Sequence, residues 1–191
     1  MDNPLIAEIK NTFGSGYWSL LRRYIYLTAY GLFKYVPSPI GDILRGAFLK
    51  LFFKRLATIW IKEGGTFHFP ENIRIGASAL NEFVYLNGYG GIDIGDMVMI
   101  GSGTQIISAD HNFADLTRPM VSQGLEKKPI VIHDDVFIGC DVKILGGVTV
   151  HTGAVIGAGS VVTADVPENA IVTGVPAKVR GYRSGPTAAP Q

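Results

Sequence analysis

The chain has 191 residues, with 17 Lys and Arg against 16 Asp and Glu, four His and one cysteine, Cys140. That length accommodates one sizeable core plus an appendage; a single cysteine excludes an internal disulfide framework, and the first residues lack the basic, apolar and small-residue segments of a secretory signal, so a cytoplasmic protein is expected. The near-zero net charge hides an asymmetry, because residues 1–62 hold nine basic and three acidic residues and the remainder eight and thirteen, which directs an anionic partner to the front end.

Residues 1–62 read as a helical extension of two helices broken at Pro37-Ser38-Pro39. Trp18, Leu21, Ile25, Ala29, Leu32 and Val36 recur at helical spacing in the first, and Leu44, Phe48, Leu51, Phe52, Leu56 and Ile59 in the second, with Asp42 as its N-cap. The other sides mix cations with aromatics, as in Arg22-Arg23-Tyr24 and Phe52-Phe53-Lys54-Arg55. The uncharged run 24–33 is too short to cross a bilayer. These helices therefore lie on a membrane surface, where apolar faces sink and cations meet anionic lipid, or on the rest of the protein or a partner subunit. The excess positive charge favours the inner face of a membrane. No groove-reading motif is present, so nucleic acid is not expected as a partner.

Beyond residue 62 the sequence repeats every six residues. Aliphatic side chains fall at Ile94, Ile100 and Ile106, and again at Ile132, Ile138, Ile144, Val150, Ile156 and Val162. Four places after eight of these nine comes a small or β-branched residue: Val98, Thr104, Val136, Val142, Val148, Ala154, Ser160, Val166. A six-residue period rotates off any one face of a helix. One short strand and one turn per hexapeptide, three hexapeptides per coil, instead gives a triangular prism lined by the stacked aliphatic residues, with glycines supplying positive φ at corners. Coils are expected at 94–111, 132–149 and 150–167, with a less regular pair of turns from 73 to 93. Residues 112–129 leave the repeat, so a loop is extruded directly after His111. The chain thus divides into the extension 1–62, a solenoid 63–183 carrying the loop 112–129, and a tail 184–191.

Three segments, 94–111 (IGDMVMIGSGTQIISADH), 128–139 (KPIVIHDDVFIG) and 156–178 (IGAGSVVTADVPENAIVTGVPAK), make residues 75–183 resemble the hexapeptide-repeat acyltransferases, in particular the sugar O-acetyltransferases related to galactoside and maltose acetyltransferase. The resemblance implies an all-β solenoid, a left-handed parallel β-helix, against the right-handed preference of parallel crossovers. It also implies a homotrimer with active sites between subunits, acetyl-CoA as co-substrate, a saccharide acceptor and no metal. Among site residues it implies His111 as general base and the backbone N–H of Cys140 as oxyanion donor. Asn81 would bind the acceptor, and Phe137, Ala158, Thr163, Lys178, Arg180 and Arg183 would line the CoA channel.

The chemistry fits the residue types. A thioester donor needs little activation, whereas the hydroxyl acceptor needs a base, and histidine titrates near working pH. Direct transfer in a ternary complex requires no acyl-cysteine on Cys140, which has no histidine beside it in sequence. Asp110 occupies a slot held elsewhere by Val, Thr, Ala or Ser; it orients the imidazole, binds acceptor or begins the loop. Asn81 alternatively fills a corner with positive φ. His68, His133 and His151 form no His-x-x-x-x-His pair of the kind a trimeric β-helix carbonic anhydrase uses for zinc. The expected function is acetyl-CoA-dependent O-acetylation of a sugar in a polysaccharide or lipid-linked precursor; acetylation of a xenobiotic and a non-enzymatic solenoid are the alternatives.

Overall fold

The computed structural model describes residues 17–58 and 60–184. Residues 1–16 of the extension, Ile59, the side chain of Trp18 and the tail beyond Ser184 lie outside the described residues.

β-Branched residues are stiff at χ1 and settle into extended backbone, and successive side chains of a strand point to opposite faces. Each hexapeptide accordingly sends two side chains inward and one outward, as Val136 and Ile138 do on either side of Phe137. Three parallel sheets result. The first face stacks Arg55–Leu56, Ile73–Ile75, Ile92–Ile94, Ile130–Ile132 and Thr149–Val150. The second stacks Ala79–Leu80, Met99–Ile100, Phe137–Ile138, Val155–Ile156 and Ala170–Gly174, capped by the antiparallel strand Ala177–Tyr182. The third stacks Thr66–His68, Tyr85–Asn87, Gln105–Ile107, Lys143–Ile144 and Val161–Val162.

The ladders run like on like: Ile94 to Ile132 to Val150, Ile100 to Ile138 to Ile156, Ile106 to Ile144 to Val162. All nine of the periodic aliphatic residues are buried, and so are all eight residues of the second inward slot. Corners use Asp as well as glycine in the left-handed region: Gly103 (φ 73°) and Asp141 (φ 55°) occupy the same corner on successive coils.

Two boundaries differ from the sequence reading. Parallel pairing begins earlier, with Arg55 opposite Arg74 and Leu56 opposite Ile75, inside the stretch assigned to the helical extension. The irregular spacing of Leu56, Ile61 and Phe67, all buried, hides this first coil from a six-residue search. The chain also leaves the prism at Ala109, before the expected exit. Ser108 is still buried, donating its hydroxyl to Asn87 O at 2.7 Å and accepting the Lys128 N–H on its carbonyl at 2.9 Å. Residues Ala109–His111 and Leu125–Lys127 then pair as an antiparallel hairpin.

Helices α1 (Tyr17–Phe33) and α2 (Ile40–Leu49) sit against the first coils. The expected face of α1 is not the packed one. Ile25 and Leu32 are 53% and 80% exposed, while Tyr26 and Tyr30 are buried, donating their hydroxyls to Phe67 O at 3.0 Å and Gly65 O at 3.2 Å. The amphipathic tyrosines win because their rings fill the groove while their hydroxyls satisfy backbone carbonyls. Likewise α2 ends at Leu49, Leu44 and Leu51 are exposed, and Leu56 belongs to a strand. Nor is Asp42 an N-cap; Pro39 holds that position.

Asp42 instead anchors the helices to the prism. Arg45, fully buried, donates to Asp42 Oδ1 at 2.7 Å, Val36 O at 2.6 Å and Ile61 O at 2.8 Å, and Lys62 donates to Asp42 Oδ2 at 2.8 Å. Burial alone would raise the Asp42 pKa, but hydrogen bonds from Lys62, Ser38 and Arg45 overcome it and hold the carboxyl below its ordinary 3.8. Breaking a buried pair strands the other charge, so Arg45→Met is expected to lower urea stability by about 3–5 kcal/mol. Because the folded-state pKa is depressed, Asp42 contributes its stability above the ordinary value and loses it as pH falls through the lowered one. Asp42→Asn is therefore less stable at pH 7 but shows a shallower loss of stability below 3.8, measured by urea unfolding at stepped pH.

Candidate active site

His111 is carried on the extruded hairpin, and the geometry there follows from strand alternation. Register places Leu125 opposite His111, Glu126 opposite Asp110 and Lys127 opposite Ala109. Side chains of directly opposed residues leave on the same side and alternate along the strand, so the His111 and Lys127 side chains share one side of the hairpin and Asp110 and Glu126 the other. His111 is exposed. Asp110 Oδ1 accepts the His111 backbone N–H at 3.1 Å, and its Oδ2 lies 3.5 Å from Lys128 Nζ. Glu126, 3.3 Å from the same ammonium, and then Asp110 hold Lys128 above its ordinary pKa. The carboxylate thus braces the base of the hairpin.

Four of the remaining expected site residues divide between two edges of the third face. Thr163 follows Val162 at the exit edge, the same edge from which the hairpin leaves two coils below. At the opposite, entry edge stand Asn81, Cys140 and Ala158. Asn81 N–H bonds to Ile100 O, Gly101 N–H to Ile138 O and Gly139 N–H to Ile156 O, which stacks these corners directly. A Cβ added to Gly101 would come within 2.5 Å of Cys140 N, and one added to Gly139 within 2.6 Å of Ala158 N, so only glycine permits this stacking. Cys140 is exposed, and among the described residues its N–H donates to no acceptor. Asn81 is exposed and is not among the residues of positive φ; Phe83 is, at 57°.

Within one chain, then, His111 and Cys140 stand at opposite edges of the third face. Phe137 points outward from the second face, 44% exposed, paired with Met99 below and Val155 above. Lys178 and Arg180 lie on the exposed capping strand, where Arg180 Nε donates to Thr173 Oγ1 at 3.2 Å. Arg183 is pinned away from that edge, to Asp135 Oδ2 at 2.9 Å and Gly153 O at 3.0 Å.

A second feature adjoins the hairpin. A cleft of about 320 Å³, bounded by α1, the first coils and the returning hairpin strand, is lined by Arg22, Arg23, His68, Phe69, Glu71, Tyr89 and Lys127 among others. Arg23 Nη2 lies 3.4 Å from His68 Nδ1, and burial, followed by the Arg23 and Lys34 charges, pushes the His68 pKa down. Among the described residues, no three His, Cys, Asp or Glu side chains are placed to hold a metal ion, and His133 and His151 merely stack, 5.4 Å between ring centroids.

Residues 129–164 match the bacterial transferase hexapeptide (six repeats) family. A hexapeptide-repeat acetyltransferase of Vibrio cholerae O1 biovar eltor, solved in complex with acetyl-CoA, is 30% identical over 93% of this chain and 99% of its own, with a TM-score of 0.73. The chain belongs to the hexapeptide-repeat acetyltransferase family. A maltose O-acetyltransferase of Clostridium difficile 630 superposes with a TM-score of 0.78 at 27% identity, over 91% of this chain and 92% of that one. A putative lipopolysaccharide biosynthesis O-acetyl transferase of Escherichia coli K12 is 31% identical over 122 residues, 60% of each chain. The chain spans 37%, 41% and 60% of the length of three curated relatives it matches.

For a hexapeptide-repeat acetyltransferase the sequence reading missed the cleft residues Tyr89 and Lys127 and placed His68 only before the repeat. The pairing of cations with aromatics at Arg22-Arg23-Tyr24 was a visible signal, but its meaning depends on α1 folding back over Phe69 and Tyr89. If Asp110 braces the hairpin, Asp110→Ala should speed hydrogen exchange at the amides of 109–112 several-fold without moving the global melting temperature; unchanged exchange there would argue against the bracing.

Proposed function

We propose that this chain is an acetyl-CoA-dependent O-acetyltransferase acting on a sugar hydroxyl, with the imidazole of His111 as general base. The observation that carries the reading is the exposed histidine on a hairpin thrown out of an otherwise rigid prism, beside a cleft of ligand size. The bound acetyl-CoA of the Vibrio cholerae relative and the sugar acceptor named for the Clostridium difficile one support the donor and acceptor classes. His111 takes the hydroxyl proton as the oxygen attacks the thioester carbonyl. The Cys140 N–H meets the oxyanion, and CoA thiolate leaves and is reprotonated. Phe137, Ala158, Thr163, Lys178 and Arg180 would flank CoA, and Asn81 the acceptor. The pinned Arg183 is the weakest of the CoA assignments.

Since His111 and Cys140 stand at opposite edges of the third face, one site takes its base from one subunit and its oxyanion donor from the next, as a cyclic homotrimer permits. The relationship to a lipopolysaccharide-biosynthesis transferase favours a polysaccharide or lipid-linked precursor as acceptor. A peripheral place on the inner membrane face is supported by the apolar residues α1 and α2 leave uncovered, Ile25, Leu32, Ile40, Ile43 and Leu44 among them; no helix among the described residues is long and apolar enough to cross a membrane.

Removing the base should cost at least about a hundredfold in acetyl transfer, so His111→Ala is expected to lose that much with its melting temperature unchanged. Activity within about tenfold of the parent would remove the assignment. Co-expressing His111→Ala with Asn81→Ala chains is expected to restore about a quarter of the sites, because a shared site needs the intact histidine of one subunit and the intact asparagine of its neighbour. No recovery would place the site within one chain. Liposome flotation tests the helices: Leu32→Glu with Leu51→Glu should abolish it, a better test than truncation, which would remove the strand at Arg55–Leu56.

A further inference from the structure

We infer that the acceptor carries a negatively charged group, a phosphate or a carboxylate, seated in the cleft between α1 and the hairpin while its hydroxyl is presented to His111. The inference rests on the transferase reading for the hydroxyl and on the cleft alone for the charge.

Three permanent cations, Arg22, Arg23 and Lys127, converge on a space of about 320 Å³ against a single carboxylate, Glu71. Each is set on an aromatic ring: Arg22 over Phe52 at 5.8 Å, Arg23 over Phe69 at 5.5 Å and Lys127 over Tyr89 at 5.5 Å. A ring face steadies a cation without using its N–H donors, so the rings under Arg22 and Lys127 leave the donors of those two side chains for contact with an oxyanion. His68 brings no negative charge to the cleft, and burial, followed by the Arg23 and Lys34 charges, pushes its pKa down.

A neutral sugar gains little from such a concentration of positive charge, whereas a concave, low-dielectric wall of one sign focuses its field on an anion. The rings of Phe69 and Tyr89, edge to face with centroids 5.3 Å apart, give the cleft an apolar side beside its cations. Lys127 fixes the polarity of the site. It leaves the hairpin on the same side as His111, one alternation away, so an anion held by Lys127 positions the rest of the molecule toward the imidazole.

The test is calorimetric titration of the full chain with glucose, glucose 1-phosphate and glucuronate, in low and high salt, followed by acetyl-CoA transfer assays on the same three compounds. At least one charged probe is expected to bind about tenfold or more tighter than glucose, with the advantage shrinking as salt screens it. The two charged arms separate phosphate from carboxylate. The exposed pair Arg22→Ala with Lys127→Ala should erase the preference, and Lys127→Arg should keep it. Equal affinity for all three probes, no measurable binding of either charged probe, or a preference that survives the double substitution would each overturn the inference. Transfer to glucose without charge preference would remove the anion site and leave the transferase. Charge-selective binding with no transfer to any acceptor would do the reverse.

Discussion

The structure depends on one packing constraint: an aliphatic side chain must enter the prism every six residues and land on its counterpart in the coil below. Ile100, Ile138 and Ile156 form such a column, each effectively without exposure. Full burial of an isoleucine is worth about 1.5–3 kcal/mol, and the ladder converts that gain into register, since a shift of one residue would turn every inward side chain to solvent. A rigid column of this kind tolerates an excursion only where the chain can leave and return through the same gap. Ser108 and Lys128 close that gap with one backbone hydrogen bond, and the whole hairpin bearing His111 hangs from it.

The same constraint explains how the candidate site is divided. Residues spaced by whole coils stack at one edge, as Asn81, Cys140 and Ala158 do, while a residue reached only after a further hexapeptide, such as His111, lies across the face. The prism cannot bend to bring the edges together, which is why the proposed chemistry requires two prisms to meet. The cleft, by contrast, lies wholly within one chain, because α1 folds back over the first coils and the hairpin descends to meet it.

That fold-back is held by polar groups as much as by apolar ones. Tyr26 and Tyr30 insert as rings with satisfied hydroxyls, and the buried guanidinium of Arg45 ties α2, the α1–α2 turn and Ile61 together. Buried charge is costly unless fully paired, and here Asp42 and Lys62 complete the pairing. The consequence is that apolar side chains which would ordinarily pack inward, Leu32 and Leu51, stand at the surface.

The periodic half was legible from residues alone, because burial in a solenoid is set by local spacing: the six-residue beat named the inward side chains, although the exit it placed after His111 falls at Ala109. His111 at that departure was legible for the same reason. Tertiary structure decided what spacing does not encode. A helix has several stripes that could pack, and only the groove it meets selected Tyr26 and Tyr30 over Ile25 and Leu32. The first coil lacked the beat and appeared only through its pairing with Ile73–Ile75. Arg22, Tyr89 and Lys127 are far apart in sequence, and the charge they concentrate exists only because three elements close on one space.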